Sequence, residues 1–295
     1  MAFKRCVLAA AFILGLVSIA TAEDAPKPAV GEWTKKAKFT LSLTQSSFTH
    51  NWSGDEVGTV SWLSAVDLLA DSQVKPSLHL TSTLVLNFGQ THQQDAQRDN
   101  WLAPSKSGDK IEYRGVARVT IDKFFDPFFA LSFDSQFFQR IDGRSEALNP
   151  LTVGETAGLA RVFHDTKTSR LTSRLGFGLR QHNDRLVVAP VKESTNDGGF
   201  EWRTNGRFAT AEDKTVFKSE LTLFQALFFS GTDQELATFG EERWKTLDVR
   251  WQNQFSNKLN KWMSLDVYLE YLFDEQLSKA GQFKQTIGVG VTAQL

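Results

Sequence analysis

Charged side chains recur at every second position of segments whose other positions are apolar. In one such segment Arg114 and Arg118 lie at even-numbered positions, while Tyr113 and Ala117 lie at odd-numbered positions, that is, they differ in parity. Successive side chains of a β-strand point to opposite faces, so the two arginines would share a face. Charges in mid-strand suit a water-filled interior, where they select among ions and small polar solutes. The candidate pore-lining residues of this kind are Arg114, Arg118, Asp134, Arg174, Arg180, Arg203, Arg207, Glu220, Asp248, Arg250, Asp266 and Glu270.

The sign of these charges changes along the chain. The segments near 171–181 and 200–208 carry four of the arginines and would form a basic wall, whereas the later segments are more mixed, with an acidic excess at their centre. Opposed charge across a narrow pore would create a transverse field, which orders water and selects small polar solutes. The same groups could instead pair with one another and plug the interior. The sequence leaves both arrangements open.

Histidines are the other residues that could carry catalysis. A hydrolase would need a hydroxyl nucleophile within hydrogen-bond reach of a histidine. His79 and Thr81 share a parity and come nearest to such a pair, but we interpret His79 as a polar interior residue. We predict no catalytic residue, and that the protein is not an enzyme. The histidines are His50, His79, His92, His164 and His182.

Metal and thiol chemistry have little support. His92, Asp95 and Asp99 share one polar connection, and Asp55-Glu56 lie in another; we interpret both groups as solvated. The only cysteine, Cys6, lies in an N-terminal segment that is expected to be removed, which leaves the mature chain without disulfides. We therefore predict neither a metal nor a cofactor.

The elements that would position the charged residues are β-strands of alternating pattern. Apolar and polar residues alternate in about twelve segments, and an even count is typical of single-chain bacterial outer-membrane barrels. These segments lie near 38–44, 57–69, 78–88, 111–122, 129–137, 155–165, 171–180, 200–208, 215–228, 245–256, 264–273 and 283–295.

The predicted connections between these strands alternate in length. The short ones are 71–75, 122–127, 165–169, 210–214 and 256–261, and the long ones between them are 89–109, 142–154, 182–199 and 230–242. Short periplasmic turns and long external loops are typical of outer-membrane barrels. A soluble β-sandwich or lipocalin-like barrel, the alternative, has no reason to sort its loops in this way.

Strand length and the C-terminus also favour a membrane barrel. Strands of 12 or more residues exceed the usual soluble length, and the last segment alternates apolar residues up to the end of the chain. Those residues are Ile287, Val289, Val291, Ala293 and Leu295. We therefore predict an all-β fold, a single antiparallel transmembrane β-barrel of about 12 strands over residues 33–295.

The N-terminus has the features of an export signal. Lys4 and Arg5 precede an apolar run from Cys6 to Ile19, and Ala20–Ala22 form a small-residue cleavage site. We predict a cleaved signal peptide at 1–22 and a periplasmic linker at 23–32. Without the two signal residues, the chain keeps 31 of its 33 basic residues against 34 acidic ones, which is not typical of a nucleic-acid-binding protein.

Several segments resemble an uncharacterised bacterial family of outer-membrane barrels, a domain of unknown function with an Asn-Trp-x-Gly motif after its first strand. The segments that carry the resemblance are Leu41–Phe48, Asn51–Gly54, Val60–Trp62, Phe133–Phe137 and Thr286–Gly290. The likeness runs over most of the mature chain. It implies a barrel in the outer membrane and leaves the activity undefined.

Together these patterns predict a passive diffusion pore for small polar solutes in a bacterial outer membrane, with both termini in the periplasm. A closed structural or surface-binding barrel that uses its long external loops is the alternative, and an outer-membrane lipid hydrolase is a third reading. The expected partners are outer-membrane lipid and, through the C-terminal strand, the barrel-assembly machinery. The sequence does not indicate an oligomeric state.

Overall fold

A computed structural model describes residues 30–47, 57–95, 100–121, 124–186 and 193–294. The predicted signal peptide at 1–22 and the Asn51–Gly54 motif lie outside the described residues, as does most of the predicted linker. Domain boundaries at the N-terminus therefore stay predictions.

Twelve long strands pair antiparallel around a closed barrel, which confirms the predicted fold class and strand number. The ring order is β1-β2-β3-β4-β5-β8-β9-β10-β11-β12-β13-β14, and β14 pairs with β1 to close it. The strands of the ring are β1 (Trp33–Ser46), β2 (Thr59–Lys75), β3 (Leu78–Gln93), β4 (Ser105–Val119), β5 (Asp126–Ser135), β8 (Leu151–Asp165), β9 (Ser169–Asn183), β10 (Ser194–Ala209), β11 (Thr215–Phe229), β12 (Asp248–Lys258), β13 (Met263–Phe273) and β14 (Gln282–Gln294).

The two faces of the sheet have opposite chemistry. On β9, Leu175, Phe177 and Leu179 are exposed, while the alternate residues Gly176 and Gly178 are buried. The same alternation gives most strands an apolar outer face. The buried set is mainly polar, and its charged or ionisable members on the strands are His79, Glu112, Asp126, Asp197 and Arg203. A barrel that is apolar outside and polar inside is the inverse of a soluble protein and is typical of outer-membrane barrels.

The connections are sorted by length between the two ends of the barrel. At the end that holds both chain termini, the strands are joined by residues 76–77, 120–125, 166–168, 210–214 and 259–262. At the opposite end the connections are 47–58, 94–104, 136–150, 184–193, 230–247 and 274–281. The predicted sorting is confirmed. The predicted turn at 71–75 was wrong, since Asp71 lies within β2 and the turn falls at Pro76-Ser77.

Two local elements in the long connections were not predicted. A small hairpin joins β6 (Phe138–Ile141) to β7 (Arg144–Ala147) through Asp142-Gly143, both with positive φ. An Asp-Gly pair of this kind is a strong hairpin signal, so the sequence did contain the information. The other element is a helix, α1 (Thr232–Phe239), which ends at Gly240 in the left-handed conformation. Among the described residues no helix is long and apolar enough to cross a membrane.

Two facing glycines allow β8 and β9 to approach closely. Gly158 pairs with Gly176 across the ladder. A Cβ atom on Gly158 would overlap with the carbonyl oxygen of Leu175 and the Cα atom of Gly176. Because these are backbone atoms, a larger residue at 158 would have to displace a strand.

We therefore expect Gly158→Ala to destabilise the barrel by about 1–3 kcal/mol, the usual range for overpacking. The matched control is Gly206→Ala, whose new Cβ would lie 3.1 Å from a ring atom of Phe208, a side chain that can move. The fraction of folded barrel would be read on unheated gels after refolding in lipid, across a urea series. Equal loss of folded band in the two variants would contradict the close-packing argument.

Candidate functional site

Charged residues of the inner face meet halfway along the lumen. Glu112 and Arg114 project from β4, and Glu112 lies directly opposite Asp134 of β5 in the ladder. On the other side of the ring, Arg250 of β12 and Glu270 of β13 face the same space. In the ring order β4-β5-β8-β9-β10-β11-β12, strands β4 and β12 are six positions apart in a ring of twelve, which places them diametrically opposite.

Arg250 spans this distance. Its Nε donates a hydrogen bond of 2.8 Å to Oε1 of Glu270 on the neighbouring strand. Its two terminal nitrogens reach the opposite side, where Nη2 lies 3.5 Å from Oε2 of Glu112 and Nη1 lies 3.5 Å from Oδ1 of Asp134. One guanidinium therefore ties together carboxylates from both sides of the lumen.

Arg114 crosses in the opposite direction. Its terminal nitrogens donate to both oxygens of Asp134 at 3.4 Å, and its Nε lies 3.5 Å from Oε1 of Glu112. The same Nε lies 4.0 Å from Oε1 of Glu220 on β11, five positions away in the ring. Lys110 is a third cation beside Glu112, after Arg114 and Arg250.

A third arginine anchors the β10–β11 side. Arg203 Nη2 donates to Glu201 Oε2 at 3.4 Å, and Nη1 lies 3.7 Å from Glu220 Oε1. Glu220 also accepts a hydrogen bond from Asn205, and Asn205 in turn accepts one of 3.2 Å from Arg174. The guanidinium of Arg174 has no carboxylate within 4.0 Å in the described part of the chain.

We call these ten charged residues the lumen network. Glu112 is 8% exposed and Arg203 is 7% exposed, so water has little access to these two residues, whereas Arg250 and Asp134 are partly exposed. Desolvated charges are tolerated in such a place when they are paired. The members are five basic residues, Lys110, Arg114, Arg174, Arg203 and Arg250, and five acidic ones, Glu112, Asp134, Glu201, Glu220 and Glu270.

Seven of the twelve predicted pore-lining residues belong to the lumen network, and three others pair near the end that holds the termini. Arg118 contacts Asp126 at 2.6 Å, and Arg207 contacts Asp213 at 2.5 Å. Asp266 accepts from Lys38 at 2.8 Å. These pairs face inward, as their parity predicts, but take no part in the crossing contacts.

The last two predicted residues, Arg180 and Asp248, lie towards the opposite end. Arg180 contacts Asp197 at 2.6 Å and Asp248 at 2.9 Å, and its guanidinium lies 3.6 Å from the ring centre of Phe224. Asp197 also lies 3.3 Å from Nε2 of His182. This second cluster belongs to the upper lumen, towards the long connections.

Sequence reasoning selected too few acidic residues. Glu112 and Glu201 lie on the same inner parity as Arg114 and Arg203, and that parity was the signal that could have identified them. The predicted basic wall is also mixed, since β10 places Asp197 beside Arg180 and Glu201 beside Arg203. Both signs therefore occur on each side of the lumen, as is expected where most desolvated charges are paired.

In the lower lumen His79 and Thr81 both contact the carboxylate of Asp71. His79 Nε2 lies 3.2 Å from Oδ2 of Asp71, and Thr81 donates its hydroxyl hydrogen to Oδ1 of the same carboxylate at 2.6 Å. Arg170 lies 3.9 Å from Asp71. Within the described ranges no three His, Cys, Asp or Glu side chains are arranged to hold a metal ion.

A family described as "Protein of unknown function (DUF3078)" matches residues 43–140 of this chain. This match agrees with the expected resemblance to a domain of unknown function, and the family description gives no biochemical activity. The Asn-Trp-x-Gly motif at 51–54 stays a prediction. No curated protein matches the chain.

Three solved structures share the barrel architecture at low identity. The COG4313 outer membrane channel from Pseudomonas putida F1 is 14% identical, with 94% of this chain and 98% of that chain covered and a TM-score of 0.43. The translocator domain of the autotransporter NalP from Neisseria meningitidis is 11% identical, with coverage of 98% and 95% and a TM-score of 0.34. The β domain of the Bordetella autotransporter BrkA is 14% identical, with coverage of 89% and 97% and a TM-score of 0.30.

Proposed function

We propose that this protein is a β-barrel of a bacterial outer membrane, with both termini in the periplasm and lipid as the partner of its apolar outer face. The apolar exterior, the charged interior and the sorting of short and long connections support this placement. The last strand, β14, is the segment that the barrel-assembly machinery would bind. The proposal includes no catalytic step.

We further propose that the lumen is a gated pathway for small polar solutes, closed at rest by the lumen network. The observation that carries this proposal is the contact of Arg250 with Glu112 and Asp134 from the opposite side of the ring. A barrel of about twelve strands lies between eight-stranded barrels filled by side chains and wide porins of 16–18 strands. Side chains as long as arginine can therefore bridge it, and a solute passes only when these ion pairs separate. This refines the predicted diffusion pore.

Liposome swelling tests the closed resting state. Liposomes that contain the refolded wild-type protein are expected to swell in an isotonic pentose solution no faster than protein-free liposomes. A general porin in the same lipid serves as the positive control for the assay, and the heat-dependent shift of the protein on gels shows that it is folded. Swelling of wild-type liposomes at the rate of the porin control would contradict the closed state.

A second candidate function is binding at the external end. The buried carboxylate of Glu235 accepts hydrogen bonds from the backbone N–H of Trp244, at 3.2 Å, and from Gln276, which joins two long connections. This ordered platform exposes Leu236, Phe239 and Leu277. If liposomes do not swell even when residues of the lumen network are substituted, this surface-binding role becomes the better explanation.

A further inference from the structure

A small cavity lies between the lumen network and the barrel wall formed by β4, β5, β8, β9 and β10. It has room for about one particle of the size of a water molecule. The polar side chains that line it are Arg114, Ser132, Thr156, Arg174, Glu201 and Arg203. Three guanidinium groups and one carboxylate therefore surround the same small space.

The three guanidinium groups at this cavity are unequally paired, since Arg114 contacts Asp134 and Arg203 contacts Glu220, whereas Arg174 has no such partner in the described ranges. Glu201, its one acidic lining residue, is already engaged by Arg203 at 3.4 Å. Arg174 lacks a carboxylate within 4.0 Å among the residues that the structure covers. It is held instead by Asn205 at 3.2 Å and by the ring of Phe128, 5.7 Å from its guanidinium carbon. Arg174 is thus positioned by neutral groups, with its charge free to act on a bound ion.

One of the lining arginines also has a buried donor without an acceptor. In the described part of the chain, the Nε atom of Arg203 is buried without a hydrogen-bond partner, whereas Nε of Arg114 lies 3.5 Å from Oε1 of Glu112. Arg203 is 7% exposed, so bulk water does not replace the missing acceptor. A buried donor that is left unsatisfied is costly, and more so on a charged group. An acceptor that carries negative charge would satisfy both requirements.

We infer that this cavity binds one small monovalent inorganic anion, such as chloride, in the place of a water molecule. Phosphate, sulfate and carboxylate ligands have several heavy atoms and are too large for a space of about one water molecule. The hydroxyl groups of Ser132 and Thr156 also line the space and donate to the carbonyl oxygen of Gly154 and to Glu201, respectively. The site goes beyond the proposed gating role, because an anion held here would brace Arg174 and Arg203 whether or not the lumen ever conducts.

Bromide is the probe for this site, because it replaces chloride and gives an anomalous diffraction signal. Crystals of the wild-type barrel grown in sodium bromide are expected to show an anomalous peak between Arg174 and Arg203. The peak is expected to vanish in Arg174→Gln and to persist in Arg185→Gln, which alters an exposed arginine of the long connections. Absence of a peak in the wild-type cavity, or an equally strong peak in Arg174→Gln, would overturn the assignment.

A solution measurement covers the case in which Arg174→Gln folds poorly. The midpoint temperature for loss of the folded gel band is expected to be higher in sodium chloride than in sodium gluconate of equal ionic strength, since a ligand that binds only the folded state stabilises it. Equal midpoints for the wild-type protein would count against the anion site. Neither readout depends on solute flux, so a negative result for the anion site is distinguishable from failure of the gating proposal.

Discussion

Replacing Arg250 by alanine is expected to convert a closed barrel into a conducting one. The substitution removes the side chain that contacts Glu112 and Asp134 from the far side of the lumen. It also leaves those two carboxylates and Glu270 facing one another with one cation fewer. Mutual repulsion and the missing volume should both widen the passage, and the excess of negative charge should favour cations over anions.

Planar-bilayer recordings would measure this change. Arg250→Ala is expected to give discrete, cation-selective current steps, while the wild-type protein stays at the baseline for most of the record. Loss of one partner of a buried ion pair costs about 3–5 kcal/mol, and entry of water into the lumen should bring the loss of unfolding free energy to the lower end of that range. The control is Arg185→Ala, an arginine paired with Glu146 outside the lumen network. Recordings without current steps from a folded Arg250→Ala barrel would contradict the proposal that Arg250 closes the lumen.

Replacing Leu175 by arginine is expected to destabilise the barrel strongly if lipid surrounds it. Leu175 lies near the middle of β9 and is 58% exposed on the apolar face. A charged side chain at the bilayer midplane of such a barrel costs about 2–4 kcal/mol. In a water-soluble barrel the same exposed position would accept arginine with little effect.

The long connections supply a matched control for this substitution. Leu277 is 66% exposed but lies between β13 and β14 at the external end, outside the apolar band. Leu277→Arg is expected to leave stability unchanged. Urea titrations of both variants in lipid vesicles, followed by tryptophan fluorescence, would separate the two cases. Equal stability of the variants would argue against a lipid-facing outer surface.

Much of the barrel could be predicted because its environment requires apolar and polar side chains to alternate along each strand with a period of two residues. Lipid outside and water inside force opposite chemistry onto alternate residues, so parity alone placed Arg114, Arg203 and Arg250 on the inner face. Strand number followed from the count of alternating segments. Strand ends were less accurate, since polar residues such as Asp71 continue a strand beyond the apolar band.

The pairing across the lumen could not be predicted. Parity gives the direction of a side chain but not its height, which depends on the stagger of every strand between β4 and β12. Arg250 and Glu112 are 138 positions apart in the sequence, and only closure of the ring brings them within 3.5 Å. The predicted basic wall failed for a different reason, because Glu201 shares the inner face with Arg203 and was left out of the candidate set.

A double-mutant cycle between Arg250 and Glu112 tests the central claim most directly. Unfolding free energies in lipid would be measured for Arg250→Ala, Glu112→Ala and the double variant. Residues in contact typically couple by about 0.5–3 kcal/mol, whereas distant independent sites add within about 0.3–0.5 kcal/mol. A favourable coupling above that additive limit is expected, because the two side chains meet across the lumen. Strict additivity would contradict the claim that these two side chains interact across the lumen.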